Sequence, residues 1–267
     1  MIKVLVPVDF SETSEKALAY ACQIFNSSPL EVTVLHIFGT HSTALMMKSI
    51  DGLLIKDAKE KLKTLLEKIK KTSPHVQFKT QLVKSYAVQA IVSYGNSDAF
   101  DLIVMGTNGA SGLKEVFLGS IAGGVISKTK APVVVVPSKY NLNRPLNIIF
   151  ALNNIKLLEK TNLSALSLIS KLNDSTTTAL HVALGTTDEF HLDELRYGDL
   201  NLKVKNIQGS GNINKDINTY LTENNADLLC LIRSKKDLLT RIFDDSVTLK
   251  QTFSSSIPIL VLHEEEV

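Results

Sequence analysis

The chain has 267 residues, 44% of them hydrophobic and 21% charged, with a net charge of +2. That length is comfortable for two domains, and the composition excludes a disordered chain and gives no case for nucleic acid or an anionic membrane surface as a partner. No window approaches the apolar length of a membrane span, and the opening "MIKVLVPVDF" lacks the basic start and long apolar core of a signal peptide. Two cysteines far apart, Cys22 and Cys230, read as buried thiols, so the expected location is the cytoplasm.

The elements alternate from the first residue. "KVLVPVDF" reads as a strand buried on both faces, and "SEKALAYACQIF" places Ala17, Leu18, Ala21, Cys22 and Phe25 on one helical face. "EVTVLHIF" is the second strand. A long charged helix follows, with Ile55, Ala58, Leu62, Leu65, Leu66 and Ile69 along one side. "VQFKTQLV" is a strand, "AVQAIVSYG" a short helix, and "DLIVMG" and "APVVVVP" are strands that flank "TNGASGLKEVFLGSIAGGVISKTK". Such alternation predicts a mostly parallel sheet covered by helices on both faces, with ligands at the carboxyl edge of its strands.

The pattern then repeats. "DLIVMG" returns as "DLLCLI" and "APVVVVP" as "IPILVLH", with Asp101 and Asp227, like Pro132 and Pro258, 126 positions apart. His36 in "VLHIF" answers to His181 in "ALHVA" at a spacing of 145, so the second copy is about 19 residues shorter and lacks most of the long charged helix. The polar run "SKYNLNRP" is the expected linker, dividing the chain into residues 1–140 and 145–267. The two very apolar last strands are candidate sheet edges, and their pairing within the chain would join the domains as a pseudo-dimer. Whether the chain dimerises further is left open, as is its protein partner.

Glycines at the end of a strand and the start of a helix carry the functional signal. Gly106 is followed after two residues by Gly109, and after nine more by Gly119 and Ser120. Backbone amides approach a phosphate closely where no Cβ intervenes, and a helix start adds unpaired N–H groups. A P-loop is excluded, since position 111 is Ser111 and Lys114 is not followed by Ser or Thr; no GxGxxG follows the first strand either. A tight turn and a phosphate cradle both remain open on spacing alone.

This spacing, with "VLVPVDFSETSEKAL" and "VLHIF", resembles the signature of the universal stress protein family. The resemblance spans the chain as a tandem pair, strong over residues 1–138 and eroded over 145–263. It implies an α/β fold of two tandem five-stranded parallel-sheet sandwiches, Rossmann-like and of the adenine nucleotide alpha hydrolase type, the second shortened. It also implies ATP or another adenine nucleotide in the first domain, any Mg²⁺ being carried by the phosphates. Position by position, Asp9 would contact the nucleoside, with Pro7, Val8 and Ser11 around it and the backbone of Ile37 at the adenine edge. Gly106, Gly109, Gly119 and Ser120 would cradle the phosphates, with Met105, Asn108 and Ile121 beside them. Asp9 and Ser11 equally fit a helix cap.

In the second copy Gly106 becomes Ile232, Gly109 becomes Lys235, Gly119 becomes Asp245, and Asp9 becomes Asn153; only the serine survives, as Ser246. No nucleotide site of this kind is expected there; Arg233 and Lys235 could bind an anion as point charges, but read rather as a solvated loop. Because that copy keeps its length without the glycines, a ligand is the expected reason for all of them in the first. The six histidines show no metal-ligand spacing, and no nucleophile–base set stands out. The function expected is a stress-response regulator that binds an adenine nucleotide. Slow ATP hydrolysis and a ligand-free scaffold using the Met46–Met47 segment are the alternatives.

Overall fold

A computed structural model describes residues 1–38, 47–97, 99–107, 119–183, 190–234 and 256–265. Asn108, Gly109, Lys114, Lys235, Asp245, Ser246 and Met46 therefore lie outside the described residues.

The first half runs β1 (Ile2–Val8), α1 (Glu12–Ile24), β2 (Leu30–Phe38), α2 (Met47–Thr72), β3 (Gln77–Lys84), α3 (Ala87–Gly95), β4 (Leu102–Gly106), α4 (Ser120–Lys128) and β5 (Val133–Val136). The second runs β6 (Asn147–Ala151), a 3₁₀ turn (Ile155–Lys160), α5 (Ser164–Asn173), β7 (Thr176–Ala183), β8 (Glu194–Tyr197), β9 (Leu200–Gln208), α6 (Ile213–Glu223), β10 (Leu228–Arg233) and β11 (Ile259–His263). Among the described residues these strands form one sheet in the order β3-β2-β1-β4-β5-β11-β10-β6-β7-β9-β8.

Continuous apolar runs in the strands follow from burial on both faces. Val4, Val6 and Val8 of β1 enter the core shared with α1, α2 and α5, while Leu5 enters the opposite core with α3 and α4. Helix periodicity does the rest: Ala17, Leu18, Ala21, Cys22 and Phe25 are buried, as are Ala58, Leu62, Leu65 and Ile69 of α2. Both cysteines are free and buried, and burial pushes the Cys22 thiol up to about 11 against a hydrogen bond with Ser73. They are packing groups.

The repeat has a structural signature in its aspartates. Asp101 accepts the Lys3 amide at 2.7 Å, and Asp227 accepts the Asn147 amide at 2.9 Å. Each thus ties the start of one strand to the start of its neighbour, and neither lies at the carboxyl edge of its own half. The second half departs from the first between β7 and β9. Where the first half has α2, the described residues of the second form β8, which pairs antiparallel with β9 as an added edge strand. The parallel core of five strands is kept in both halves.

The two apolar edge runs meet as expected. β5 and β11 pair antiparallel, Val133 with Val261, Val134 with Leu260 and Val135 with Ile259. Two consequences follow. The carboxyl edges of the halves lie at opposite ends of the sheet, and each lies beside the amino edge of the other half at the seam. On one face α1 meets α5, where Asn173, 2% exposed, donates to the Ile24 carbonyl at 3.0 Å and to Ile169 at 2.9 Å, and accepts from Arg144. Asn173→Leu leaves those buried groups unpaired and is expected to cost about 1–3 kcal/mol, read from urea denaturation.

At the other end of the seam stands His263. Burial and the Arg233 guanidinium push its imidazole down to about 4, opposed by a hydrogen bond to the Ala131 carbonyl. Because the folded value lies below the ordinary 6.5, the unfolded chain takes up the extra proton first as pH falls. The stability held by the neutral ring is complete above pH 6.5 and is lost as pH drops through the folded value near 4. The loss is on the order of 3 kcal/mol. Urea midpoints measured from neutral to acid pH should fall more steeply in the wild type than in His263→Gln.

Candidate functional site

The first half's carboxyl edge is assembled from three corners. At the end of β1, Asp9 accepts two hydrogen bonds from Ser11, from its amide at 3.0 Å and its hydroxyl at 2.5 Å. Ser11 caps α1 by accepting from the Ser14 amide at 3.2 Å, and the Ser14 hydroxyl donates back to the Ser11 carbonyl at 2.9 Å. Ser11 is a helix cap, as the sequence allowed, and Asp9 orients it while staying exposed at the edge. Between them Phe10 has φ 63, a left-handed conformation costly for a bulky side chain. The capping bonds on either side hold it there.

β2 supplies the second corner. The His36 Nδ1 bonds the Val8 carbonyl at 2.8 Å, and its ring lies 4.4 Å from that of Phe10. Lys61 of α2 lies 5.8 Å from the Phe10 ring centre. Ile37 follows His36 and is half-buried, whereas Pro7 and Val8 are buried in β1. Phe10 is a rim residue that the sequence reading missed, since nothing local marks a non-glycine residue for positive φ.

The third corner joins β4 to α4. Met105 is buried, and Gly106 ends the strand. The Gly119 amide donates to the Thr107 carbonyl at 2.7 Å, which brings the start of α4 back to the end of β4. Gly119 is the N-cap of α4 and has no side chain to cap with, while Ser120 and Ile121 are exposed in its first turn. The first intrahelical bond is donated by Gly123, so the amides of Ser120, Ile121 and Ala122 precede the ladder. α4 itself is seated against α3 by Gly124, where a Cβ would come within 2.9 Å of Val88. Among the described residues, the start of α1 is closed by its own serine, whereas the starts of α3 and α4 have no side-chain cap, and that of α4 is the one tied to the end of β4.

Gly106 requires a correction. A Cβ there would lie 2.6 Å from the Thr13 methyl and 3.1 Å from the Thr13 carbonyl oxygen. The first turn of α1 presses directly on this residue, so packing explains its lack of a side chain without a ligand. In the second half the counterpart Ile232 is buried, with Leu157 and Leu158 of the 3₁₀ turn in the same core. The shorter, tighter turn in place of the start of α1 accommodates the branched side chain. The expectation that a ligand explains all the motif glycines therefore fails at Gly106.

The second half's edge keeps the histidine and changes the rest. His181 bonds the Leu152 carbonyl at 3.0 Å, as His36 bonds Val8, and stacks on Phe190 at 4.1 Å. Asn154 replaces Phe10 with φ −149 and caps the 3₁₀ turn itself. The recurring histidine is thus a backbone tie between the first two strands of each half. Arg233 is also not in a solvated loop: it is the last residue of β10 and is half-buried.

Parallel strands that end together beside helix starts place both halves among the doubly wound α/β proteins, whose ligands bind at that edge. The model of the universal stress protein family matches residues 1–137, and the chain belongs to that family. A universal stress protein of Methanocaldococcus jannaschii is 32% identical over 154 residues, covering 51% of this chain and 95% of the relative. One from Bacillus subtilis is 28% identical over 146 residues, covering 50% and 97%. The crystal structure of a universal stress protein from Archaeoglobus fulgidus aligns over 99% of this chain and 97% of its own, with a TM-score of 0.70 at 19% identity, so the fold is shared along the whole chain. No helix among the described residues is long and apolar enough to cross a membrane.

Proposed function

We propose that the chain is a stress-response regulator that binds an adenine nucleotide, ATP foremost, at the carboxyl edge of β1, β2 and β4. Residues 1–140 act as the nucleotide-binding domain, and residues 145–267 as its partner across the seam, without a nucleotide site of this kind. The observation that carries this reading is the open start of α4: a glycine N-cap hydrogen-bonded to the end of β4, followed by an exposed serine. Unpaired amides and the positive end of the helix dipole suit a phosphate.

In this assignment Gly119, Ser120 and Ile121 hold the phosphates through backbone amides and the Ser120 hydroxyl. Gly109 and Asn108, outside the described residues, complete the cradle on the strength of the family resemblance. Gly106 contributes by letting α1 approach β4, which sets the Asp9–Ser11 corner beside the phosphate site. Asp9 meets the nucleoside, Pro7, Val8 and Met105 form the floor, and the backbone of Ile37 meets the base. The nucleotide supplies its own anionic phosphates and any metal they carry, and the protein supplies amides and shape.

Denaturing the purified protein and chromatographing the supernatant identifies any nucleotide carried through purification. An adenine nucleotide there, or saturable binding in micromolar titrations, is the expected result. Binding of no adenine nucleotide in either experiment overturns the assignment. Turnover of ATP above background that is lost in Gly119→Asp would replace the binder with a slow hydrolase at the same site.

A further inference from the structure

The antiparallel join gives the sheet two seam ends, and they differ. At one, where the first half's strands finish, Tyr140 of the linker is buried, donates to the Asp227 carbonyl at 3.2 Å and meets Tyr20 edge-on at 5.8 Å. At the other, the corresponding aspartate, Asp101, lines an open cleft of about 1360 Å³. Here the second half's strands finish, and Arg233 and His263 stand where the first half has Thr107 and Pro137.

The cleft is lined by four cationic side chains, Lys128, Lys130, Lys160 and Arg233, and three carboxylates, Asp101, Glu264 and Glu265, an excess of one positive charge. Asp101 is engaged by the Lys3 amide, and Glu264 by the Ser234 hydroxyl and by Lys160 at 4.0 Å. Arg233, Lys128 and Lys130 line the same cleft, and none of the three forms an ion pair among the described residues. Among the described residues the Arg233 Nε and the His263 Nε2 are both buried without a hydrogen-bond partner, a costly state that a bound group would relieve. α5 begins at this cleft with Ser164 and Ala165 in its lining, and its N-cap Leu163 offers no side-chain acceptor. A small positive excess, a guanidinium fork and a helix start converge on one opening.

We infer that this seam cleft binds a phosphorylated small molecule, its phosphate held by Arg233 with Lys128 and Lys130 at the rim. Guanidinium binds phosphate through two parallel N–H bonds, and the volume admits the organic part of the ligand as well as the anion. The site belongs to the second half, at the end of the sheet opposite the first half's carboxyl edge, and is independent of the nucleotide assignment. It also gives the shortened copy a binding role of its own.

His263 is the reporter. Burial holds the imidazole low and the Arg233 charge adds to it; a dianion beside Arg233 offsets that second part, so occupancy moves the titration toward the ordinary value. The experiment titrates ribose 5-phosphate into the full chain and follows the His263 imidazole by NMR, the signal being assigned with His263→Gln. Ribose at matched chloride is the control. A saturable shift is expected, unchanged in Gly119→Asp. It should weaken by about tenfold or more in Arg233→Gln and in the surface double variant Lys128→Gln/Lys130→Gln. Absence of a saturable shift, the same shift with ribose and chloride, or full affinity in the Lys128→Gln/Lys130→Gln protein overturns the inference.

Discussion

Gly119→Asp is expected to abolish adenine-nucleotide binding while leaving the protein as stable as the wild type or slightly more so. The two effects separate because Gly119 sits at the N-cap of α4 with φ −61 and ψ 159, an ordinary extended conformation for any residue. Its amide bond to Thr107 involves the backbone alone and survives the substitution. Aspartate is among the best N-cap residues, and its carboxylate satisfies the amides that glycine leaves open, for a gain of about 0.5 kcal/mol. Those same amides are the ones assigned to the phosphates. A fixed carboxylate in their place both occupies the donors and repels the ligand, and like charges brought together cost several kcal/mol, or about a hundredfold or more in affinity. ATP titration and urea denaturation on one preparation read both quantities. The second half carries this substitution naturally at Asp245. A Gly119→Asp protein that binds as tightly as wild type would show that the start of α4 does not hold the phosphates.

Gly106→Ala is the second large effect, and it acts on stability. The added methyl meets the Thr13 side chain at 2.6 Å and the Thr13 carbonyl at 3.1 Å. The first distance is far inside van der Waals contact, and the second involves backbone that moves only if α1 moves. Overpacking of this kind costs about 1–3 kcal/mol. Thr13→Ser removes the methyl but not the carbonyl, so the double variant should recover part of the loss and no more. The shift of α1 also carries the Asp9–Ser11 corner with it, so nucleotide affinity should fall along with stability. Gly106→Ala as stable as wild type would mean that α1 does not press on β4 as described.

Much of the architecture was legible because it rests on periodicity and repetition. Strands buried on both faces read as unbroken apolar runs, and helices α1 and α2 bury the faces that spacing assigned to them. The edge pairing of β5 with β11 followed from two exposed apolar strands that each needed a partner. Residues that break a pattern were read less well. β8 replaces a helix in a stretch with no strong periodicity of either kind. Phe10 adopts positive φ because Asp9 and Ser11 bond across it, a constraint set by neighbours and not by its own type. Gly106 was credited to a ligand, and the close approach of α1 that explains it joins residues 93 positions apart. Arg233 passed for a loop residue since only the antiparallel seam brings it to Lys128 and Lys130 of the other half. Local pattern was visible in the sequence, and contacts across the seam were not.

The central claim is one nucleotide site per chain, in the first half. Calorimetric titration of the nucleotide-free protein with ATP tests it most directly. The account predicts saturation at one equivalent per chain and its loss in Gly119→Asp. Two equivalents in the Arg233→Gln background, where the seam cleft has lost its phosphate contact, or a single equivalent that persists in Gly119→Asp, would contradict it.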